Sequence, residues 1–254
     1  KLAKVLNFPS SIFYENYKPF GLPLSVHPMY RRNASVNKKD LEQLEAELNI
    51  RIFNSMKLVK AIEFDEDLPL PFLSIDNYET PEKIAELVRR TWLIPSGPLK
   101  NLTDYVERAG CLVFHCDFLQ DGVSGVTLKV PGLNPCIFID KNMPSDRQRF
   151  TLAHELGHTI MHRIPSENME DEANRFASAL LTPSKDIRPH LTGSRITLEK
   201  LATLKMIWKV SMSSLLITAD RENLLTPSQK RYLWSQMTKY GYKTKEPEEL
   251  DFPK

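Results

Sequence analysis

The chain has 254 residues, 41% of them hydrophobic and 26% charged, with a formal net charge of +2. That balance suits a soluble globular protein with a sizeable core, and it excludes one drawn onto nucleic acid or a membrane by its overall field. No apolar run approaches the ~18–20 residues of a membrane span, so no membrane partner is expected.

The chain opens on Lys1 rather than Met, and an N-terminal portion is expected to lie beyond it. In KLAKVLNFPSSIFY, Leu2, Val5 and Leu6 have helical spacing and Pro9 stops the helix. Residues 17–35 carry Pro19, Pro23, Pro28, Arg31 and Arg32 and read as a linker. Residues 1–60 hold ten Lys/Arg against five Asp/Glu, a basic stretch that suits either a solvated surface or a charged partner. A long amphipathic helix, capped by Ser35 or Asn37, is expected from Ser35 to about Ile62. Leu41, Leu44, Leu48, Ile52, Met56 and Val59 form its stripe, read as a packing face. Residues 63–80 are acidic, contain Pro69 and Pro71, and read as a loop.

Residues 81–109 read as two helices joined by IPSGP at 94–98. The period then changes. CLVFHCDF (111–118), GVSGVTLKV (122–130) and CIFID (136–140) are short β-rich runs. They predict a small, mostly antiparallel sheet of about three strands, with a hairpin around Asp121-Gly122. Cys111, Cys116 and Cys136 lie in or beside these runs and match no zinc-ribbon or redox spacing, so buried free thiols in a reducing cytoplasm are expected. Helix returns at Ser145, where Ser145 and Gln148 match a capping box.

From Arg149 to Pro183 the sequence runs RFTLAHELGHTIMHRIPSENMEDEANRFASALLTP. At about 100° per residue, His154, Glu155, His158 and His162 gather on one side of the helix, and Leu152, Ala153, Leu156 and Ile160 on the other. His154 and His158, one turn apart, can share one ion, with Glu155 directed past it as a general base. A catalytic zinc needs a third protein ligand and one open position. His162 lies ~12 Å along the axis from His154, too far to join it on a straight helix. It is left as a donor behind a ligand, a substrate contact or a histidine satisfied at an interface. The next helix packs through Ala173, Phe176, Ala177, Leu180 and Leu181, and its Glu170 faces inward more than Glu172. An inward carboxylate needs a charge partner, so Glu170 is the expected third ligand with Glu172 in reserve. Asn174 stands one turn on and can hydrogen-bond a ligand histidine. Two histidines and a carboxylate suit Zn2+ well, with manganese and iron left open.

RFTLAHELGHTIMH followed by EDEANRFASALLTP closely resembles the ImmA/IrrE family of zinc metallopeptidases. His154, Glu155, Gly157 and His158 match its first motif. Glu170, Glu172, Ala173, Asn174, Phe176, Ala177, Leu180, Leu181 and Pro183 match its second, and Thr182 stands where Met is common. Residues 92–110 and 137–150 are also similar, so the likeness covers roughly 80–245. It implies an α+β fold with a thermolysin-like gluzincin core and flanking helical modules, in which strand 136–140 would be the edge that aligns a peptide. It also implies a soluble bacterial or phage protein that cuts a helix-turn-helix repressor. Many members carry a Cro/C1-type helix-turn-helix of their own, and KLAKVLNFPSSIFY resembles the exit of such a domain. Any DNA contact would then come through a part outside this chain.

The organisation expected is a tail of that domain at 1–16, a linker and long helix at 17–80, the peptidase-like domain at 81–192 and a helical module at 193–254. Residues 197–225 read as helix, turn at Val210-Ser211, helix. Residues 211–225 offer Arg221 and Asn223 but also Asp220 and Glu222, which favours packing or protein contact over base reading. Trp208 and Trp234 are expected in the core. The activity expected is zinc-dependent endopeptidase cleavage in the cytoplasm, with Glu155 taking a proton from water and passing it to the leaving amine. His115, His162 and several tyrosines are candidates for stabilising the oxyanion. The alternative is a DNA-binding regulator whose peptidase-like domain senses a ligand or partner and cuts little or nothing. A third reading is a zinc-stabilised scaffold in a toxin–antitoxin or phage-defence pair.

Overall fold

The computed structural model describes residues 38–59, 67–118 and 123–247, with the isolated positions 10 and 14. The helix expected before Pro9, the 17–35 linker, the Ser35 or Asn37 cap and the Asp121-Gly122 turn lie outside these residues. Among the described residues the fold is α+β, mostly helical, with a three-stranded mixed sheet.

Helix α1 (Lys38–Val59) buries Leu44, Leu48 and Ile52 of the expected stripe, while Met56 and Val59 are only half-covered. The acidic stretch after it is not all loop: α2 (Ile75–Tyr78) forms one turn, with the Ser74 hydroxyl accepting from the Asp76 amide. Helix α3 (Pro81–Thr91) starts on a Thr80 cap with Pro81 in its first turn, a position where a missing N–H costs nothing. Helix α4 (Leu102–Arg108) follows behind an Asn101 cap.

The strands are β1 (Leu112–Cys116), β2 (Gly125–Leu128) and β3 (Cys136–Asp140). Their order is β1-β3-β2, with β1 parallel and β2 antiparallel to β3. Two expectations are corrected here. The sequential β1–β2 hairpin does not form, because β3 lies between them. And the 136–140 strand is central, so it cannot be the edge that aligns a peptide; β2 is the edge on that side. Residues 136–139 are all buried, as a strand covered on both faces and along both edges must be. Ile137 and Ile139 join the core beneath the later helices, whereas Cys136 and Phe138 join Val126, Leu128 and the α1 leucines on the other face. The sheet is thus clasped between α1 and the helix that follows β3. Cys111, Cys116 and Cys136 are buried free thiols, and burial pushes Cys136 up to about 12.

Helix α5 (Ser145–Met161) begins without the expected capping box. Pro144 holds the cap position, its carbonyl accepting from the Gln148 amide, and the Gln148 side chain turns back to the carbonyls of Lys141 and Met143. Helices α6 (Met169–Leu181), α7 (Ser184–Leu191), α8 (Leu198–Trp208), α9 (Met212–Arg221) and α10 (Pro227–Lys239) complete the chain. One hydrophobic cluster runs from Leu73 through α3, α5 and α6 to Met237. Trp208 is wholly buried in it, but Trp234 is only half-covered at its margin. The turn at Val210-Ser211 forms, with Lys209 left-handed and the Ser211 hydroxyl capping α9.

Gly125 marks the tightest approach of β2 to α5. A Cβ there would collide with Thr151 Cγ2 and come within 3.1 Å of Glu155 Cγ. Gly125→Ala is therefore expected to lower stability by about 1–3 kcal/mol. Adding Thr151→Ser, which removes that methyl, should recover most of the loss. Chemical denaturation of the three proteins checks this; an Ala variant as stable as the parent would show the contact to be soft.

Candidate metal centre

Helix α5 presents His154 and His158 one turn apart, and α6 crosses it closely enough to bring a carboxylate to both. The crossing depends on Gly157, where a Cβ would stand 3.0 Å from Phe176 Cδ1 and 3.4 Å from the Ala173 backbone. Arg89 secures α6 from below, donating to the Leu180 carbonyl at 2.7 Å, and Arg175 clasps Glu82 of α3 through two bonds of 2.9 and 2.8 Å.

Three side chains converge. His154 Nε2 and His158 Nε2 are 3.0 Å apart, and they lie 3.4 and 3.3 Å from the two oxygens of Glu170. Two ligands held ~2.1 Å from one ion at a tetrahedral angle stand ~3.4 Å apart, so the spacing is that of a coordination shell. Glu170 Oε1 is buried and receives no hydrogen bond. A buried acceptor left unsatisfied is costly, and a cation between it and the two imidazoles would satisfy it. Among the described residues, His154, His158 and Glu170 form the one group able to hold a metal ion.

The electrostatics follow from this crowding. Burial alone would raise the Glu170 carboxyl, but the His154 and His158 nitrogens beside it outweigh burial and bring it down to about 2. Burial opposes a charge on His154, yet the hydrogen bond to Glu170 and the nearby Glu155 raise it above the ordinary histidine value. Burial, aided by charge on His158, pushes His162 down to about 4.

The remaining site candidates divide. Asn174 Oδ1 lies 3.0 Å from His154 Nδ1, from one turn along α6. Glu172 points away from the convergent trio and meets His162 Nε2 at 3.0 Å. His162 has both ring nitrogens engaged, since its Nδ1 lies 3.0 Å from His158 Nδ1. His115 is not brought to the trio: it lines a separate cleft of about 730 Å³ with Asn101, Lys141, Gln148 and Arg149, which none of the three enters.

Glu155 is nearly fully buried, and its Oε2 accepts from the Thr127 hydroxyl at 2.7 Å. Sequence reasoning missed Thr127. Its only signal is position: on β2, residues 125 and 127 share the face opposite Val126 and Leu128, and that face meets α5. Thr127→Val, equal in shape but without the donor, is expected to cost about 1–3 kcal/mol by leaving a buried carboxylate oxygen bare. Equilibrium unfolding near neutral pH measures this, and a Val variant that matches the parent would mean Glu155 has another partner.

A family model described as the IrrE N-terminal-like domain, peptidase M78, matches residues 106–219. That segment is similar to the peptidase-like domain of the ImmA/IrrE family. The match is narrower than the 80–245 expected, yet it spans all three strands, both helices of the metal group and the α8–α9 turn. The family is one of metallopeptidases, in keeping with a convergent His-His-Glu group. No curated protein matches the chain. No helix among the described residues is long and apolar enough to cross a membrane.

Proposed function

We propose that the chain is a zinc-dependent endopeptidase of thermolysin-like arrangement, acting in the cytoplasm to regulate gene expression by cutting a helix-turn-helix repressor at a defined bond. The observation that carries the hydrolytic reading is the Glu170 carboxylate, one oxygen buried and bare beside His158 and the other beside His154, both at coordination spacing. Repressor cleavage is drawn from the family likeness.

A divalent cation held by His154, His158 and Glu170 would supply Lewis acidity, polarising a carbonyl and acidifying a water. The chain's own residues then have distinct tasks. Asn174 keeps a hydrogen on His154 Nδ1, so the lone pair of Nε2 faces inward. Glu155 takes the proton of the water that attacks the scissile carbonyl and returns it to the amine as the C–N bond breaks. Thr127 holds one Glu155 oxygen, which fixes the other for this exchange. The free side of β2 is where an extended substrate can add as a further strand, passing directly over Gly125 and Glu155.

The test is to mix the purified full-length protein with the repressor encoded beside it, with and without chelator, and to read the products by mass spectrometry. One defined, chelator-sensitive cut is expected. An intact repressor under metal-replete conditions would turn the reading toward a sensor that does not cut. In the α8–α9 segment Arg221 donates to Ser178 at 3.0 Å, an internal contact that favours packing over base reading.

A further inference from the structure

Behind His158 stands a pair of titratable side chains that the hydrolytic reading leaves without a task. His162 ends α5. Its backbone is extended (φ −113°, ψ 122°), so its ring swings back toward the helix instead of continuing along it. The turn is stabilised because the last-turn carbonyls find outside donors: Leu73 N meets Ile160 O at 3.0 Å, and Lys129 Nζ meets Thr159 O at 2.8 Å.

The hydrogen-bond order can be read from its outer end. A carboxylate only accepts, so the 3.0 Å contact from Glu172 Oε2 requires a hydrogen on His162 Nε2. In a neutral His162, Nδ1 is then a bare acceptor. The facing His158 Nδ1, 3.0 Å away, must therefore donate. With its hydrogen on Nδ1, His158 carries a lone pair on Nε2, the atom that faces Glu170 and His154.

We propose that His162 and Glu172 are positioning residues, a two-member relay that locks His158 in the tautomer and ring orientation that offers Nε2 to a metal ion. This rests on the metal-centre reading above. His154 has its own positioning partner in Asn174, so each ligand imidazole is oriented from behind, one by an amide and the other by an imidazole backed by a carboxylate. The opposite proton order, with His162 doubly protonated, would put a hydrogen on His158 Nε2 and block coordination. Partners of this kind typically change metal affinity by about 10–100-fold.

The experiment uses the full chain, zinc alone as the probe, and competition with a chromophoric chelator. Nitrogen-15 spectra of the metal-free proteins report which ring nitrogen of His158 carries the hydrogen. The parent is expected to bind one zinc and to show His158 protonated on Nδ1. His162→Ala should weaken zinc by about 10–100-fold and lose that single tautomer. His162→Gln should retain most of the affinity, because its amide oxygen can accept from His158 and its amide N–H can donate to Glu172. Zinc bound equally by parent and His162→Ala overturns the relay while leaving the metal centre intact. So does a Gln variant as weak as Ala, or a parent His158 protonated on Nε2. A parent that binds no zinc overturns both. If His162→Ala does not fold, Glu172→Gln decides: weaker zinc and a mixed His158 tautomer support the relay, and unchanged values sink it.

Discussion

Lys205→Met is expected to cost about 3–5 kcal/mol, a large share of the ~5–15 kcal/mol that holds a typical domain together. Lys205 is 3% exposed and reaches two carboxylates, Asp146 at 2.8 Å and Glu246 at 2.9 Å. Asp146 lies in the first turn of α5, and Glu246 lies beyond α10 and also accepts from the Met212 and Ser213 amides at 2.7 and 3.1 Å, capping α9. One ammonium therefore ties the start of the helix that carries His154 and His158 to α8, α9 and the C-terminal segment. Removing it leaves buried Asp146 and mostly covered Glu246 without their shared counter-ion. Burial opposes the charge on Lys205, but the two carboxylates outweigh it and raise the amine above its ordinary value. A raised folded-state value means the contribution is whole below the ordinary lysine pKa of ~10.4, and is lost only as pH climbs through the raised value. The parent–variant gap should thus be flat from about pH 6 to about pH 9 and narrow above that range. Denaturant titrations across pH check it. A gap under about 1 kcal/mol near neutral pH would mean that the triad contributes no more than an exposed ion pair. Adding Glu246→Gln to the variant should recover part of the loss, since one of the stranded charges is gone.

What could be read from the chain follows from the range of each interaction. The α5–α6 pair was legible because helical periodicity sorts its residues locally: His154 and His158 share a face at any helix of that pitch, and the apolar side of α6 sets which way Glu170 turns. Sheet order was not legible by the same means. Asp121-Gly122 is a good turn pair, and it suggested that neighbouring strands would pair. The better guide was composition, since CIFI is apolar at every position, the mark of a strand covered on both faces and flanked on both sides. The Ser145–Gln148 match failed for a simpler reason. Pro144 already supplies the extended residue whose carbonyl opens the helix, which leaves Ser145 inside the first turn. Thr127 was invisible because nothing local distinguishes a hydroxyl that will meet Glu155 28 residues away from one that meets water. His115 misled in the opposite direction: as a histidine near a metal motif it invited a catalytic task, yet β1 lies on the far side of the sheet from β2.

Glu155→Gln is expected to lower repressor cleavage by about 10²–10⁴-fold, the usual contribution of a positioned general base. It should change little else. Glu155 is not among the three convergent donors, so zinc affinity should stay within about twofold of the parent, well short of the change expected when an orienting partner is lost. The fold should survive too. The new amide can still accept the Thr127 hydroxyl bond through its oxygen, and the substitution leaves side-chain volume nearly unchanged, so the stability loss should fall within about 1 kcal/mol. This separates chemistry from structure in a way that a ligand variant cannot. Glu170→Gln would weaken the ion and cleavage together and leave the cause ambiguous. Metal titration, unfolding and a cleavage assay on Glu155→Gln give three numbers, of which only the last should move. Normal cleavage would remove Glu155 from the mechanism. Lost cleavage with unchanged control of the target gene in cells would favour the sensor reading, because the regulated step would then not need the bond to be cut.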